Sequence, residues 1–196
     1  MNTRTRIRIT PEIVIAAAAD IADLNGWDNI TLANVAGQLG IKTPSLYNHV
    51  EGLPDLRQKL ALHAIRMLQA KLSDAAIGHS GKLALIEIGK AYIDFVRLHP
   101  GLYEAMNRAT EPKSSEFEQA SDQILSLFFR LMQPFGLPQQ EAVHAIRGLR
   151  SMVHGFTSIL SMGGFQLSED VMESLTKAIT YYIDGLIVNF GTSTAY

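Results

Sequence analysis

Within the seven residues Thr43–His49 stand five side chains able to meet a nucleic acid: Thr43, Ser45, Tyr47, Asn48 and His49, with Lys42 just before them and Pro44 among them. Asn can hold adenine through two hydrogen bonds, Ser serves as donor or acceptor, and a Thr methyl suits the methyl of thymine. Tyr and His at positions 47 and 49 are long enough to reach phosphates, contacts that orient a protein on a duplex rather than read its sequence. Leu46 and Val50, four apart, fall on the opposite side of a short helix and anchor it, leaving Ser45, Asn48 and His49 free of the core. A helix of barely two turns cannot support itself in water, so its neighbours must hold it.

Those neighbours are legible from their boundary signals. Thr10 is expected to cap a first helix with Pro11 at its first position and Glu12 in its first turn. Its inward residues are Ile13, Val14, Ala17, Ile21 and Leu24, and Asn25-Gly26 stops it. Thr31 caps a second helix that turns Val35, Ala36 and Leu39 inward and ends at Gly40. Thr43 is expected to cap the third, with Pro44 at its first position. After Glu51-Gly52, Pro54 opens a long helix with Leu56, Leu60, Ala64, Met67, Leu68 and Leu72 on one face. Breaks at GHSGK, Pro100, EPKSSE, QPFGLP and MGGFQL divide the rest, so that about nine helices and no convincing strand are predicted. The fold class is all-α.

Two short helices joined by a glycine-containing turn, the second carrying exposed polar groups, is the arrangement of a helix-turn-helix. The stretch ITLANVAGQLGIKTPSLYNHVEGLPDL resembles the DNA-binding domain of the TetR (tetracycline repressor-like) family, over roughly residues 10 to 56. The resemblance implies phosphate contacts from Thr31, Tyr47 and His49, and puts Lys42, Thr43, Ser45 and Asn48 nearest the base edges. It also gives the arginines before Thr10, at positions 4, 6 and 8, the role of a flexible basic arm reaching the backbone or minor groove. Many relatives carry a basic residue where this chain has Leu53, and often another where it has Glu51, so one phosphate clamp is missing. The ionic part of binding is then expected to fall on Arg4, Arg6, Arg8 and Lys42, with a weakened salt dependence.

Composition limits the alternatives. A chain of 196 residues with 47% hydrophobic and 18% charged content is a globular protein able to bury a core, and a net charge of −2 makes it no general polyanion binder. Without cysteine there is no thiolate catalysis, no disulfide and no zinc-thiolate site. No apolar leader and no run long enough to span a bilayer is seen, so a cytoplasmic location and no membrane partner are expected. No nucleophile elbow, phosphate loop, dinucleotide fingerprint or paired-histidine metal motif occurs, which argues against an enzyme and leaves no cofactor and no metal to expect.

The division expected is a DNA-binding domain over residues 1–52, with 1–9 as the arm, and a helical ligand-binding and dimerisation domain over 53–196. The penultimate helix carries small residues, Ala145, Gly148 and Gly155, where another backbone can approach. The last is apolar on two sides, with Val171, Leu175, Ala178, Tyr182 and Leu186 on one and Met172, Ile179, Ile183, Ile187 and Phe190 on the other. A terminal helix apolar on two sides needs two partners, one of them a second subunit in a two-fold four-helix bundle. Ala145, Gly148, Gly155, Leu175, Ile179, Tyr182, Ile183 and Leu186 are the interface expected, and TetR-like proteins dimerise through their last two helices.

The segment RGLRSMVHGFTSILSMGGF is similar to a TetR subgroup with a His-Gly (WHG-type) C-terminal domain. Family likeness implies an inducer pocket, with His63, Met67, Tyr92, Phe95, Tyr103, Met106, Phe128, Phe129, Arg147 and Met152 as candidates and a small apolar or amphipathic inducer. The resulting expectation is a homodimeric repressor on a palindromic double-stranded operator, released by that inducer. The competing reading is an all-helical protein-interaction module that does not use its head on DNA.

Overall fold

The computed structural model describes residues 8–108 and 114–190. The helices expected from the sequence are there: α1 (Pro11–Asn25), α2 (Leu32–Leu39), α3 (Leu53–Ala76), α4 (Gly81–Leu98), α5 (Pro100–Arg108), α6 (Ser115–Met132), α7 (Gln139–Ser161) and α8 (Val171–Phe190). The ninth, Thr43–Asn48, is a 3-10 turn rather than an α-helix, and two three-residue 3-10 turns occur at Trp27–Asn29 and Gln133–Phe135. No described residue lies in a strand.

The chain forms two compact units. One gathers the residues up to Ile65 together with His99–Glu118, and the other gathers Arg66–Leu98 and the residues from Gln119 onward. Compactness thus adds α5, distant in sequence, to the head.

In the first unit the caps are where side-chain chemistry puts them. The Thr10 hydroxyl accepts from the Ile13 amide at 3.4 Å, and the Thr31 hydroxyl accepts from the Asn34 amide at 3.1 Å. Gly40 takes the left-handed conformation, φ 65°, that ends α2 and turns the chain toward Thr43. Val14, Ala18, Ile30, Val35, Leu46, Leu56 and Leu60 have no exposed surface and form the centre of this unit.

The Leu24 side chain, expected inward, is 82% exposed. α1 buries Ala18, Ala19 and Ala22 as well as Val14, Ala17 and Ile21, so its apolar face is rotated away from Leu24. The partner responsible is α5: Gly101 sits so close to Ala22 that a Cβ there would overlap the Ala22 carbonyl. A periodicity read within α1 alone did not contain that contact.

The second unit packs α4 against α7 and α8 around Leu85, Ile93, Leu149, Val153, Leu175, Ile179 and Ile183. Its last helix starts at Val171, where the Asp170 carboxylate accepts from the Glu173 amide at 2.7 Å and takes the cap.

Candidate nucleic-acid interface

The turn Thr43–Asn48 is held from beneath and at both ends. Leu46 is wholly buried and Val50 nearly so, at 2% exposure, which fixes the turn in the head beside α2 through apolar burial worth roughly 1.5–3 kcal/mol per side chain. At its entry the Lys42 carbonyl accepts from the Ser45 amide at 2.9 Å, and at its exit the Leu46 carbonyl accepts from the His49 and Val50 amides at 2.8 and 3.0 Å. Lys42, not Thr43, takes the cap position, and no side-chain cap bond forms there. The correction has a simple cause: the tighter 3-10 winding already includes Thr43, so its hydroxyl is not the bond that starts the element.

With the two anchors inward, Lys42, Pro44, Ser45, Tyr47 and Asn48 are exposed, and Thr43 and His49 are half-buried. Tyr47 is 60% exposed, a large ring with no core role to explain it. Thr31 is half-buried, its hydroxyl engaged at the start of α2. Arg8 is exposed, whereas Arg4 and Arg6 lie outside the described residues.

Just beyond the turn, a network that the sequence reading missed joins it to α3. The Asp55 carboxylate accepts from the Glu51 amide at 2.8 Å and from the Lys59 ammonium at 2.8 Å, and the same ammonium donates to the His49 carbonyl at 3.1 Å. At the start of α3 this carboxylate faces the chain's own amide and ammonium. The spacing of Asp55 and Lys59, four apart on a helix, was the available signal.

The head has a second support. The Asp23 carboxylate of α1 accepts from the Gly101 and Leu102 amides at 2.9 and 3.0 Å, capping α5 from outside, and meets His99 Nδ1 at 2.8 Å. Arg57 lies over the Trp27 ring at 4.9 Å, tying the start of α3 to the turn after α1.

The candidates for a small-molecule pocket divide between the units. His63, Tyr103 and Met106 belong to the first, where Met106 is buried and the other two half-buried. Burial pushes the His63 imidazole below its ordinary range, and the neighbouring His99 charge acts in the same direction. Tyr92, Phe128, Phe129 and Met152 pack half-buried on the core of the second unit, Phe95 is buried at 1% exposure, and Met67 is half-buried. Arg147 is exposed on α7.

Of the residues expected at a subunit interface, several are the chain's own core. Ala145, Leu175, Ile179 and Ile183 are at most 1% exposed, and Leu186 packs half-buried beside them. Tyr182 donates to the Ala145 carbonyl at 3.1 Å and lies over Gly148, where any Cβ would collide with its ring, so this glycine serves α7–α8 packing within one chain. Of the two apolar sides expected of the last helix, Leu175, Tyr182 and Leu186 of one and Ile179 and Ile183 of the other pack on the core with α4 and α7, whereas Ile187 and Phe190 are 41% and 44% exposed. The outward seam is a different one: Ser174, Ala178, Tyr181, Gly185 and Val188 recur at spacings of four and three, with Tyr181 70% and Val188 84% exposed. On α7 the matching stripe is Ser151, Gly155, Ser158 and Met162, with open space above Gly155 and above Gly185 on α8.

Among the described residues no group of three or more His, Asp or Glu is placed to hold a metal ion, and no helix is long and apolar enough to cross a membrane.

Comparison with known proteins gives this geometry a lineage. The family profile described as the tetracyclin repressor-like C-terminal domain matches residues 85–182. The uncharacterized HTH-type transcriptional regulator YobS of Bacillus subtilis (strain 168) is 36% identical over 185 residues, covering 94% of this chain and 96% of that one. The HTH-type transcriptional repressor DrrR1 of Streptomyces coeruleorubidus is 30% identical over 139 residues, 70% of this chain and 48% of that protein. In fold, the chain is similar to a TetR variant from Acinetobacter baumannii AYE crystallised in complex with minocycline, with a TM-score of 0.65 and 18% identity, over 94% of this chain and 100% of that one. The exposed polar turn on its buried anchors, the all-helical fold and the end-to-end likeness to a helix-turn-helix regulator agree: this chain belongs to the TetR family of DNA-binding transcriptional regulators, and it is not an enzyme.

Proposed function

We propose that the protein is a homodimeric repressor that reads a palindromic operator with the turn Thr43–His49 and leaves it when a small apolar or amphipathic molecule binds the helical domain. The observation that carries this reading is the contrast within one turn: Leu46 and Val50 are buried, while Lys42, Ser45, Tyr47 and Asn48 are exposed. Ser45, Asn48, Thr43 and Lys42 face base edges, and Tyr47, His49 and Thr31 hold the phosphate backbone. Arg4, Arg6 and Arg8 add the ionic term that Leu53 has given up. The work is done in the cytoplasm, where the operator is.

Dimerisation is supported by the outward seams of α7 and α8. Their small residues let helices approach closely, and Tyr181 and Val188 supply apolar surface that one chain leaves uncovered. Two turns related by a two-fold axis then enter successive major grooves of one operator. The repressor sense is supported by the name of the DrrR1 relative, and a small inducer by the minocycline held in a protein of this fold. Switching needs differential affinity: the inducer must bind the state whose heads do not fit the operator better than the state that does.

Binding to a duplex from the promoter beside its own gene, followed against salt, tests the head. Tyr47→Ala and His49→Ala are expected to weaken binding while each keeps the helical circular dichroism of the parent; undiminished affinity in both would remove the assigned role. Sedimentation tests the rest, with a dimer expected and a lone monomer at micromolar concentration contradicting it.

A further inference from the structure

We infer that Lys59 and Asp55 are positioning residues for DNA reading: from α3 they lock the exit of the turn Thr43–Asn48, and so set sequence preference without touching DNA. The inference rests on the reading that this turn meets base edges.

The turn's own bonds are few. A six-residue 3-10 element has poor hydrogen-bond geometry and no cooperativity to draw on, so its shape depends on what grips it. Leu46 and Val50 fix its depth in the head, but an apolar anchor is non-directional and leaves rotation about the anchor free. Directional bonds remove that freedom. The Lys59 ammonium holds the His49 carbonyl at 3.1 Å, and the Asp55 carboxylate holds the Glu51 amide at 2.8 Å. The two side chains in turn hold each other at 2.8 Å, one helical turn apart on α3. Two backbone points, a carbonyl and an amide two residues along, are thereby tied to a single rigid helix. His49 and Asn48 stand immediately before them.

A lysine near a reading turn invites the simpler assignment of a phosphate contact. Here its ammonium is already shared between a carboxylate and a carbonyl, and the Asp55 charge at 2.8 Å cancels much of the field a phosphate would feel. A half-buried pair one helical turn apart adds little to global stability, so its effect lies in geometry.

The two roles separate by salt. Full-length protein is measured against an operator recovered by selection from a random duplex library and against random duplex of the same length, across a range of salt. For Lys59→Met we expect the preference for operator over random duplex to fall about tenfold, as for one misread base pair, with the slope of log affinity against log salt unchanged. Lys59→Arg, which can still bridge carboxylate and carbonyl, restores the preference. Asp55→Ala gives the same readout should Lys59→Met fail to fold, since it removes the acceptor of both the Glu51 amide and the Lys59 ammonium. A slope reduced by about 0.9 with operator and random duplex weakened alike makes Lys59 a phosphate contact and overturns the inference, as does an unchanged preference. Asn48→Ala is the control for the reading beneath it: if no operator is selected, or if Asn48→Ala leaves the preference intact, the turn itself is not the reader, and that failure is told apart from failure of the lock.

Discussion

The outer surface of the head and the outer seams of α7 and α8 solve opposite problems with the same device. In both, a helical element buries one face in a core and leaves another open. The head's spare face is polar, with Ser45, Tyr47 and Asn48 exposed above a fully buried Leu46. The spare faces of α7 and α8 are small and apolar, with Gly155, Ala178, Tyr181, Gly185 and Val188 turned out from Leu149, Ile179 and Ile183. Hydrogen-bonding groups on a short, rigidly seated turn suit a hydrated polyanion with a donor and acceptor code. Small residues flanking an exposed Tyr and Val suit another helix pair of the same kind.

The largest effect expected separates the inner support of the head from both outer faces. Gly101→Ala forces a Cβ into the Ala22 backbone carbonyl, which has no flexible end to move aside, and should destabilise the head by about 3 kcal/mol. A thermal melt read at Trp27, which belongs to the head, checks it; an unchanged midpoint would mean that α5 is not seated on α1 as described.

Next comes a pair of substitutions two residues apart on α8 that should act on different properties. Ile179→Ala empties a fully buried position and should cost about 3 kcal/mol of stability, whereas Tyr181→Glu changes a 70% exposed ring and should leave the fold intact while converting dimer to monomer in sedimentation. If Tyr181→Glu stays dimeric, the outward seam is not the interface.

Smaller again is Thr31→Ala. It removes the cap bond to the Asn34 amide and is expected to cost about 1 kcal/mol in denaturant unfolding. Any loss of DNA affinity beyond that share would come from the phosphate contact proposed for the same hydroxyl.

The smallest is a pH effect on the head. Burial lowers the folded-state affinity of His63 for a proton, so the unfolded chain protonates first and stability is lost as pH falls below the ordinary histidine value of 6.5. Melts at stepped pH should show that His63→Gln loses less stability than the parent between neutral and mildly acid solution. Parallel curves would refute the assignment.

The same contrast explains what the sequence disclosed. The head's signals are local: Thr10-Pro11, Thr31, Gly40 and the Leu46/Val50 spacing each act within one turn of the residue they position, and they sufficed to place the exposed turn. Its supports were not local. Asp23 meets Gly101 across 78 positions, and no pattern in α1 announces that α5 will rotate its buried face and expose Leu24. In the second unit, apolar periodicity identified α7 and α8 but not which side faced inward, because Leu175 and Leu186 on one side of α8 and Ile179 and Ile183 on the other are alike apolar to a periodicity count. Burial of Leu175, Ile179 and Ile183 against α4 decided it, and that required the packing of three helices. The Lys59–His49 bond was hidden for another reason: a backbone carbonyl carries no sequence mark.

The central claim, that the turn Thr43–His49 reads bases, meets its most direct test in Asn48→Ala. Asn48 is exposed, so its removal should leave the melting temperature unchanged. Affinity for the selected operator should fall about tenfold, by the worth of one two-bond contact to a base, while affinity for random duplex and its salt dependence stay as they were. An operator preference undiminished in the Asn48→Ala protein would contradict the account.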